Sequence, residues 1–271
     1  MSQAQVPISR TADVAGSHDR LMVQALARGL RVMQAFDGAA GPLSLGEIAA
    51  RAGMDRSAAQ RLCHTLRAAG WLVPGEGGQG LRPGRAVLTA TYDALRLDPV
   101  LQRASPILLT LRRELRERVD LSLMDGQRLI YAMRMQSKRE NFFATLVGHT
   151  VPLAQTSGGW ACLAVLPEPE AEALIAAAPL TQITPRTLTD PAAIRAEVAA
   201  ARTQGHAVAL EQIQMGEIAL GVAIRDASGR PIGAIHVAGS LSEWRPDDFR
   251  SRVAPLAAEA AMLIEKGGGA A

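Results

Sequence analysis

Residues 44–70, SLGEIAARAGMDRSAAQRLCHTLRAAG, contain two short amphipathic segments broken at Gly53, and no other stretch restricts the local fold as strongly. In the second segment Ala59, Leu62, Cys63 and Leu66 recur at helical spacing and form a packing face. Ser57, Gln60, Arg61 and His64 repeat that spacing one face away, with Arg56 at the edge. Ser44 followed three residues later by Glu47 is a capping box, Asp55 is the expected cap of the second helix and Gly70 its expected stop. A helix pair of this kind is a helix-turn-helix, which lays its second helix in the major groove of DNA.

The flanks extend the motif. Residues 21–36 carry Val23, Leu26, Leu30 and Met33 on one side of an expected helix, and DGAAGP then breaks it. After the helix pair come WLV, a glycine-rich turn and LRPGRAV, the pattern of a two-stranded wing. Within that turn GEGGQG (75–80) satisfies the dinucleotide fingerprint G-x-G-x-x-G. The fingerprint works only when its last glycine opens a helix aimed at a pyrophosphate, and here Pro83 breaks any such helix, so the segment reads as a wing tip. Arg82 and Arg85 flank the tip, placed for phosphate or minor-groove contact or for plain solvation. Residues 1–90 hold ten arginines against six acidic residues, leaving 19 basic and 20 acidic residues of the total 29 and 26 for the remainder. The cationic excess therefore accompanies the helix pair, as a DNA-binding domain requires.

Beyond residue 85 the pattern changes. Leu88, Tyr92 and Leu95 suggest a linker helix interrupted at Asp98-Pro99, and Ser105-Pro106 signals another helix with Leu108, Leu111 and Leu115 as its buried stripe. Leu121 and Leu123, then Leu129 and Tyr131, flank Asp125-Gly126 as a β-hairpin. A strand is expected near 142–147, helices near 157–166, 168–177 and 191–204, strands at 219–225 and 231–238 around a DASGR turn, and a final helix at about 246–265. This mixture predicts an α+β chain whose C-terminal part is a largely antiparallel sheet flanked by helices. The expected organisation is a disordered leader (1–20), a winged helix-turn-helix domain (21–84), a linker helix (85–98), a second domain (99–266) and a disordered tail (267–271).

A composition of 48% hydrophobic and 20% charged residues is that of an ordinary globular protein. Cys63 and Cys162 lie far apart within apolar helical patterns, which favours buried reduced thiols and a cytoplasmic location. No signal peptide is evident, and no run of ~18 apolar residues suggests a membrane span. His149, His206, His236 and Cys162 could titrate, yet no G-x-S-x-G motif or metal-spaced cluster accompanies them. The sequence thus suggests neither an enzyme nor a need for a cofactor or metal.

Three segments in order resemble the IclR-type family of bacterial transcription regulators, named for the isocitrate lyase regulator. They are the helix pair with its wing, VGHTVPLAQTSGGWACLAVLPEPE (147–170) and GEIALGVAIRDASGRPIGAIHVAG (216–239), and the likeness spans about residues 22–264. The resemblance implies a winged helix-turn-helix, a linker helix that helps to dimerise it, a GAF-like effector domain, and dimers that often pair into tetramers. Its partners would be double-stranded operator DNA, a small organic acid and a second copy of the chain. The family often has a Ser-Thr pair where this chain has Ser57-Ala58, so a hydroxyl available for phosphate is missing. Arg56, Ser57, Gln60, Arg61 and His64 then form the expected reading face. TSGG (156–159) opens a helix with free backbone donors, and by carry-over Thr156, Ser157 and Gly158 are expected to border the effector. Ala219, His236 and Ala238 stand where the family often has small polar residues, and His236 is either an effector contact or a satisfied core histidine. Phe143 would add an aromatic wall or pack in the core. Trp160 replaces an often basic residue and would close the pocket or fill a contact between dimers. The rival readings are an architectural DNA-binding protein without an effector and a small-molecule enzyme.

Overall fold

The computed structural model describes residues 21–137 and 147–267, and the chain divides into two compact units with a boundary between Leu95 and Arg96. Most of the strand expected near 142–147, with Phe143, lies outside the described residues, as do the leader and all of the tail but Gly267.

In the first unit helices α1 (Gln24–Gln34), α2 (Leu45–Arg51) and α3 (Arg56–Ala68) precede a hairpin of β1 (Leu72–Pro74) and β2 (Leu81–Pro83). Both arms of the capping box form: the Ser44 hydroxyl accepts from the Glu47 amide at 3.3 Å, and the Glu47 carboxylate accepts from the Ser44 amide at 2.8 Å. Asp55 caps α3 by accepting from the Ala58 amide at 2.7 Å. Val32, Leu43, Ile48, Cys63 and Leu72 meet in one core, with Leu62 and Leu66 packed against it. Leu43 adds a backbone bridge to Leu81, so β2 is paired on both of its edges. Its glycine-rich tip is a short turn with Gly77, Gly78 and Gly80 at positive φ, which glycine adopts without the Cβ penalty. Of the apolar side of the first helix, Val23, Leu26 and Leu30 are exposed and Met33 packs against the core, which Val32 and Ala35 enter. Helix α4 (Arg85–Leu97) likewise has no buried residue and presents Leu88 and Tyr92 outward.

The second unit contains α5 (Pro99–Leu115), β3 (Arg118–Asp125), β4 (Arg128–Met135), β5 (Thr150–Pro152), α6 (Ser157–Val165), α7 (Glu168–Ala176), α8 (Pro191–Gln204), β6 (Ala207–Leu210), β7 (Glu217–Arg225), β8 (Pro231–Ser240) and α9 (Pro246–Lys266). Helix α5 begins earlier than Ser105-Pro106 suggests. Asp98 caps it by accepting from the Val100 and Leu101 amides, and Pro99 takes a first-turn position where a missing N–H costs nothing. Pro106 sits inside the helix on its exposed side, where water can satisfy the freed carbonyl, and the buried stripe Leu101, Ala104, Leu108, Leu111 and Leu115 carries the helix through.

The six strands form one wholly antiparallel sheet in the order β5-β4-β3-β8-β7-β6. Its two faces differ in side-chain size. Ile218, Leu220, Val222 and Ile224 of β7 and Ile235 and Val237 of β8 share one parity, the side covered by α5 and α9. The alternate residues are Ala219, Gly221, Ala223, Ala234, His236 and Ala238, and α6 lies against this thinner side. Trp160 fills the core between α6 and the sheet with its indole N–H donated to the Ala154 carbonyl at 2.7 Å, so it is neither a pocket wall nor a surface contact. Trp160→Ala should lower stability by about 3–5 kcal/mol, the usual cost of emptying a buried aromatic site, read as a reduced urea midpoint at unchanged m-value.

Candidate functional site

Two sites emerge, one in each unit. On α3 the side chains of Arg56, Ser57, Gln60, Arg61 and His64 are all exposed, and Arg82 and Arg85 are exposed beside the wing. The face presents bidentate donors in its arginines, a donor and acceptor in Gln60, and no acidic side chain along the helix. Ala58 is buried, so its side-chain position points inward and could not offer a hydroxyl to phosphate from this geometry.

The second site lies where the first turn of α6 meets the thin face of the sheet. A Cβ on Gly158 would collide with the His236 ring, one on Gly221 with the Ser157–Gly158 backbone, and one on Gly159 with the Leu153 carbonyl. Thr156 caps the helix, accepting from the Gly159 amide at 3.1 Å. The Ser157 and Gly158 amides, as first-turn groups, have no acceptor within the helix. The Ser157 hydroxyl is also buried and has no hydrogen-bond partner among the described residues.

That first turn borders a cavity of about 20 Å³, space for a water or two, lined by Arg118, Tyr131, Thr156, Ser157, Ala209, Glu211, Gln212, Ile213, Glu217, Ala219 and His236. Of the predicted effector residues, Thr156, Ser157, Ala219 and His236 line it together. Gly158 packs behind His236, and Ala238 is buried between Ala219 and Arg118 in the strand register without lining the cavity.

The sheet side of the cavity is strongly polar. Alternation along β3 puts Arg118, Asp120 and Ser122 on the same face, and Asp120 pairs in register with His236. Arg118 donates from Nε to Asp120 Oδ2 at 3.0 Å and pairs through Nη2 with Glu217 Oε2 at 2.8 Å. Arg134 grips the same aspartate through Nε and Nη2 at 2.7 and 2.8 Å. Its guanidinium also lies 5.4 Å from the Tyr131 ring centroid. The His236 Nε2 and Ser122 Oγ are 2.7 Å apart, and the Tyr131 ring is tilted against the imidazole. Burial lowers the His236 pKa from 6.5 to about 4, aided by the Arg118 and Arg134 charges and opposed by Asp120, so the ring is neutral near pH 7. Burial raises the Tyr131 phenol well above its usual value.

Across the cavity runs the loop from Glu211 to Gly216. Glu211 has φ 55°, its amide donates to the Glu217 carbonyl at 2.8 Å, and its Oε1 accepts from the Gly216 amide at 2.7 Å. Gln212 ties this loop to the preceding segment by donating to the Arg186 and Leu210 carbonyls and accepting from the Leu188 amide. Thr184 and Thr187 donate to the Glu211 and Gln212 carbonyls.

Sequence reasoning missed Arg118, Tyr131, Ala209, Glu211, Gln212, Ile213 and Glu217 as cavity residues. The alternation Arg118, Asp120, Ser122 between Val119 and Leu121 was the available signal, together with the extension of β7 back to Glu217. Cys162, a titratable candidate, is buried with its thiol donated to the Gly233 carbonyl and its pKa pushed up to about 12, which leaves it inert as a nucleophile at neutral pH. No cluster of metal-binding side chains occurs among the described residues, and no described helix is long and apolar enough to cross a membrane.

A winged helix-turn-helix unit followed in the same chain by a unit with a small cavity bordered by charged and polar groups is the arrangement of a DNA-binding protein with a ligand-binding domain. The family model for the IclR helix-turn-helix domain matches residues 25–75, and that for the bacterial transcriptional regulator IclR C-terminal domain matches residues 93–265. The chain belongs to the IclR family of bacterial transcriptional regulators. It is 34% identical over 206 residues to the HTH-type transcriptional regulator Rv1719 of Mycobacterium tuberculosis, covering 76% of this chain and 78% of that one. It is 28% identical over 251 residues to the Pca regulon regulatory protein of Pseudomonas putida, covering 92% and 85%. The crystal structure of an IclR homologue from Microbacterium hydrocarbonoxydans, complexed with 4-hydroxybenzoate, superposes with a TM-score of 0.71 at 26% identity, covering 89% of this chain and 98% of that one. The protein is therefore a transcriptional regulator with a DNA-binding helix-turn-helix and a C-terminal ligand-binding domain, and not an enzyme.

The depressed His236 pKa carries a sign. Between pH 6.5 and about 4 the unfolded chain binds a proton at this residue that the folded chain refuses. The stability contributed is full above about pH 6.5 and lost as pH falls toward 4, an amount on the order of 3 kcal/mol from 1.36 kcal/mol per pKa unit. Urea denaturation from pH 7 to 4 should show this loss in the wild type and a shallower decline in His236→Gln.

Proposed function

We propose that this regulator controls transcription by coupling operator binding to a small organic carboxylate held between the first turn of α6 and the sheet. The observation that carries the reading is the Ser157 hydroxyl, buried and unpartnered at a helix start where free amides already favour an anion. Thr156, Ser157, Gly158, Ala219, His236 and Ala238 are assigned to the effector side. Phe143 keeps its proposed place as an aromatic wall on sequence grounds alone. The homologue's 4-hydroxybenzoate supports an acid of small size, and the cavity of about 20 Å³ favours a short-chain acid over an aromatic one unless the loop at 211–216 moves.

On the DNA side, Arg56, Ser57, Gln60, Arg61 and His64 are assigned to the major groove and Arg82 and Arg85 to phosphate or the minor groove. Residues 21–84 form the proposed DNA-binding domain, 85–98 the linker helix and 99–266 the effector domain. The exposed apolar residues Val23, Leu26, Leu30, Leu88 and Tyr92 support a homodimer, which can pair again as a dimer of dimers. A dimer sets the spacing of two recognition helices on a palindrome-like operator, and effector binding shifts that spacing. Such a regulator works in the cytoplasm.

Thermal shift against a panel of short carboxylic acids tests the sensor: a binding acid should raise the wild-type midpoint, and Ser157→Ala should weaken that response. An unresponsive wild type would favour the architectural reading. Gln60→Ala or Arg61→Ala should cost about 1–3 kcal/mol in operator binding and relax preference at one base position. Arg82→Ala should instead weaken binding to all sequences and reduce the salt slope by about one. Fluorescence anisotropy with operator and scrambled duplexes separates the two outcomes.

A further inference from the structure

His236 is bonded through only one of its two ring nitrogens. Asp120 of β3 pairs in register with His236 of β8 and Ser122 with Ala234, so Ser122 lies diagonally across the strands from the imidazole, on the same face of the sheet. Its Oγ stands 2.7 Å from Nε2, and both residues are buried. Among the described residues neither side chain makes another hydrogen bond.

A neutral imidazole carries one N–H and one bare nitrogen, and the partner of one nitrogen decides the state of the other. Burial keeps the His236 ring neutral near pH 7. If Ser122 accepted from Nε2, its own proton would be left buried without an acceptor, a costlier omission than an idle lone pair. Ser122 therefore donates to Nε2, and the ring proton sits on Nδ1.

The ring turns the edge between its nitrogens toward the first turn of α6, since a Cβ on Gly158 would meet Cε1 first and then Nε2 and Nδ1. His236 and Ser157 line the same cavity. The Nδ1–H and the Ser157 hydroxyl are thus two donors with no acceptor among the described residues. Asp120, the register partner of His236, accepts instead from Arg118 and Arg134.

We propose that Ser122 is a positioning residue that fixes the His236 tautomer, so that Nδ1–H and the Ser157 hydroxyl donate together to the two oxygens of one carboxylate. This rests on the α6 end being the carboxylate site and adds the device that makes it selective. It assigns the head group alone and asks for no second contact further along the ligand. The opposite tautomer would aim a lone pair at the ligand and favour an amide or an undissociated acid over a carboxylate.

Heteronuclear NMR of the full chain with isotope-labelled histidine reads the tautomer directly, the His236 signals being identified by their loss in His236→Gln. At neutral pH without ligand the wild type should show a protonated Nδ1 and a bare Nε2. Ser122→Ala should move the population toward the Nε2-protonated form, whereas Ser122→Thr, which keeps the hydroxyl, should not; each variant is first checked for an intact thermal transition. Titration with acetate, propionate and their amides supplies the second readout. The acids should bind the wild type about tenfold or more tighter than the amides, the difference made by one hydrogen bond to a charged group. Ser122→Ala should lose that preference and Ser122→Thr retain it. A wild-type ring protonated at Nε2 or at both nitrogens would overturn the proposal, as would amides that bind as tightly as the acids. So would an acid preference lost in Ser122→Ala with the tautomer unchanged, because Ser122 would then act through packing alone. A wild type that binds neither acid, or acids indifferent to Ser157→Ala, would overturn the carboxylate site itself.

Discussion

The ligand-binding unit depends on how closely one helix start can approach one sheet. Alanine and glycine on a single parity of β7 and β8 thin the face that α6 meets, and the first turn of α6 is built from glycines with no side chain to hold it off. The bulky residues of the same strands go to the opposite face and pack on α5 and α9. Dispersion and apolar burial thus concentrate on one side, leaving the other free to place backbone amides beside polar groups. Trp160 completes the arrangement from behind, fixing α6 by volume and by its bond to the Ala154 carbonyl.

Within that frame polarity is tolerated because nearly every buried charge has a partner. Asp120 is fully buried, a position that would be costly alone, and two arginines approach it with charge-assisted bonds. His236 solves the same problem by staying neutral and bonding Ser122. Against these satisfied groups the Ser157 hydroxyl stands out, since buried polar atoms without partners are uncommon.

Local chemistry was readable from the sequence where a few adjacent residues decide the outcome. The capping box at Ser44 and Glu47, the Asp55 cap and the Asp125-Gly126 turn each need only neighbours in the chain, and each forms. Asp98-Pro99 misled because the same dipeptide ends one helix and begins another, and only the buried stripe starting at Leu101 distinguishes the start. On the first helix, apolar spacing picked out one side, yet Val23, Leu26 and Leu30 on that side are exposed and the core takes Val32 and Ala35. Periodicity shows that a face is apolar without showing what it packs against. The cavity was legible on the α6 side, where TSGG is contiguous, and much less so on the sheet side. Arg118, Tyr131 and Glu217 come from three strands whose neighbours are set by sheet order, a property no local pattern encodes.

The collisions that any side chain at positions 158, 159 or 221 would meet also constrain how this sensor can change over generations. Those three positions form the chassis and cannot vary without parting the helix from the sheet. Diversification toward new signals is channelled into residues 209, 213 and 219, which border the cavity without belonging to the charge network of Arg118, Asp120 and Glu217. A library built to retune the regulator should randomise these three and hold the glycines constant.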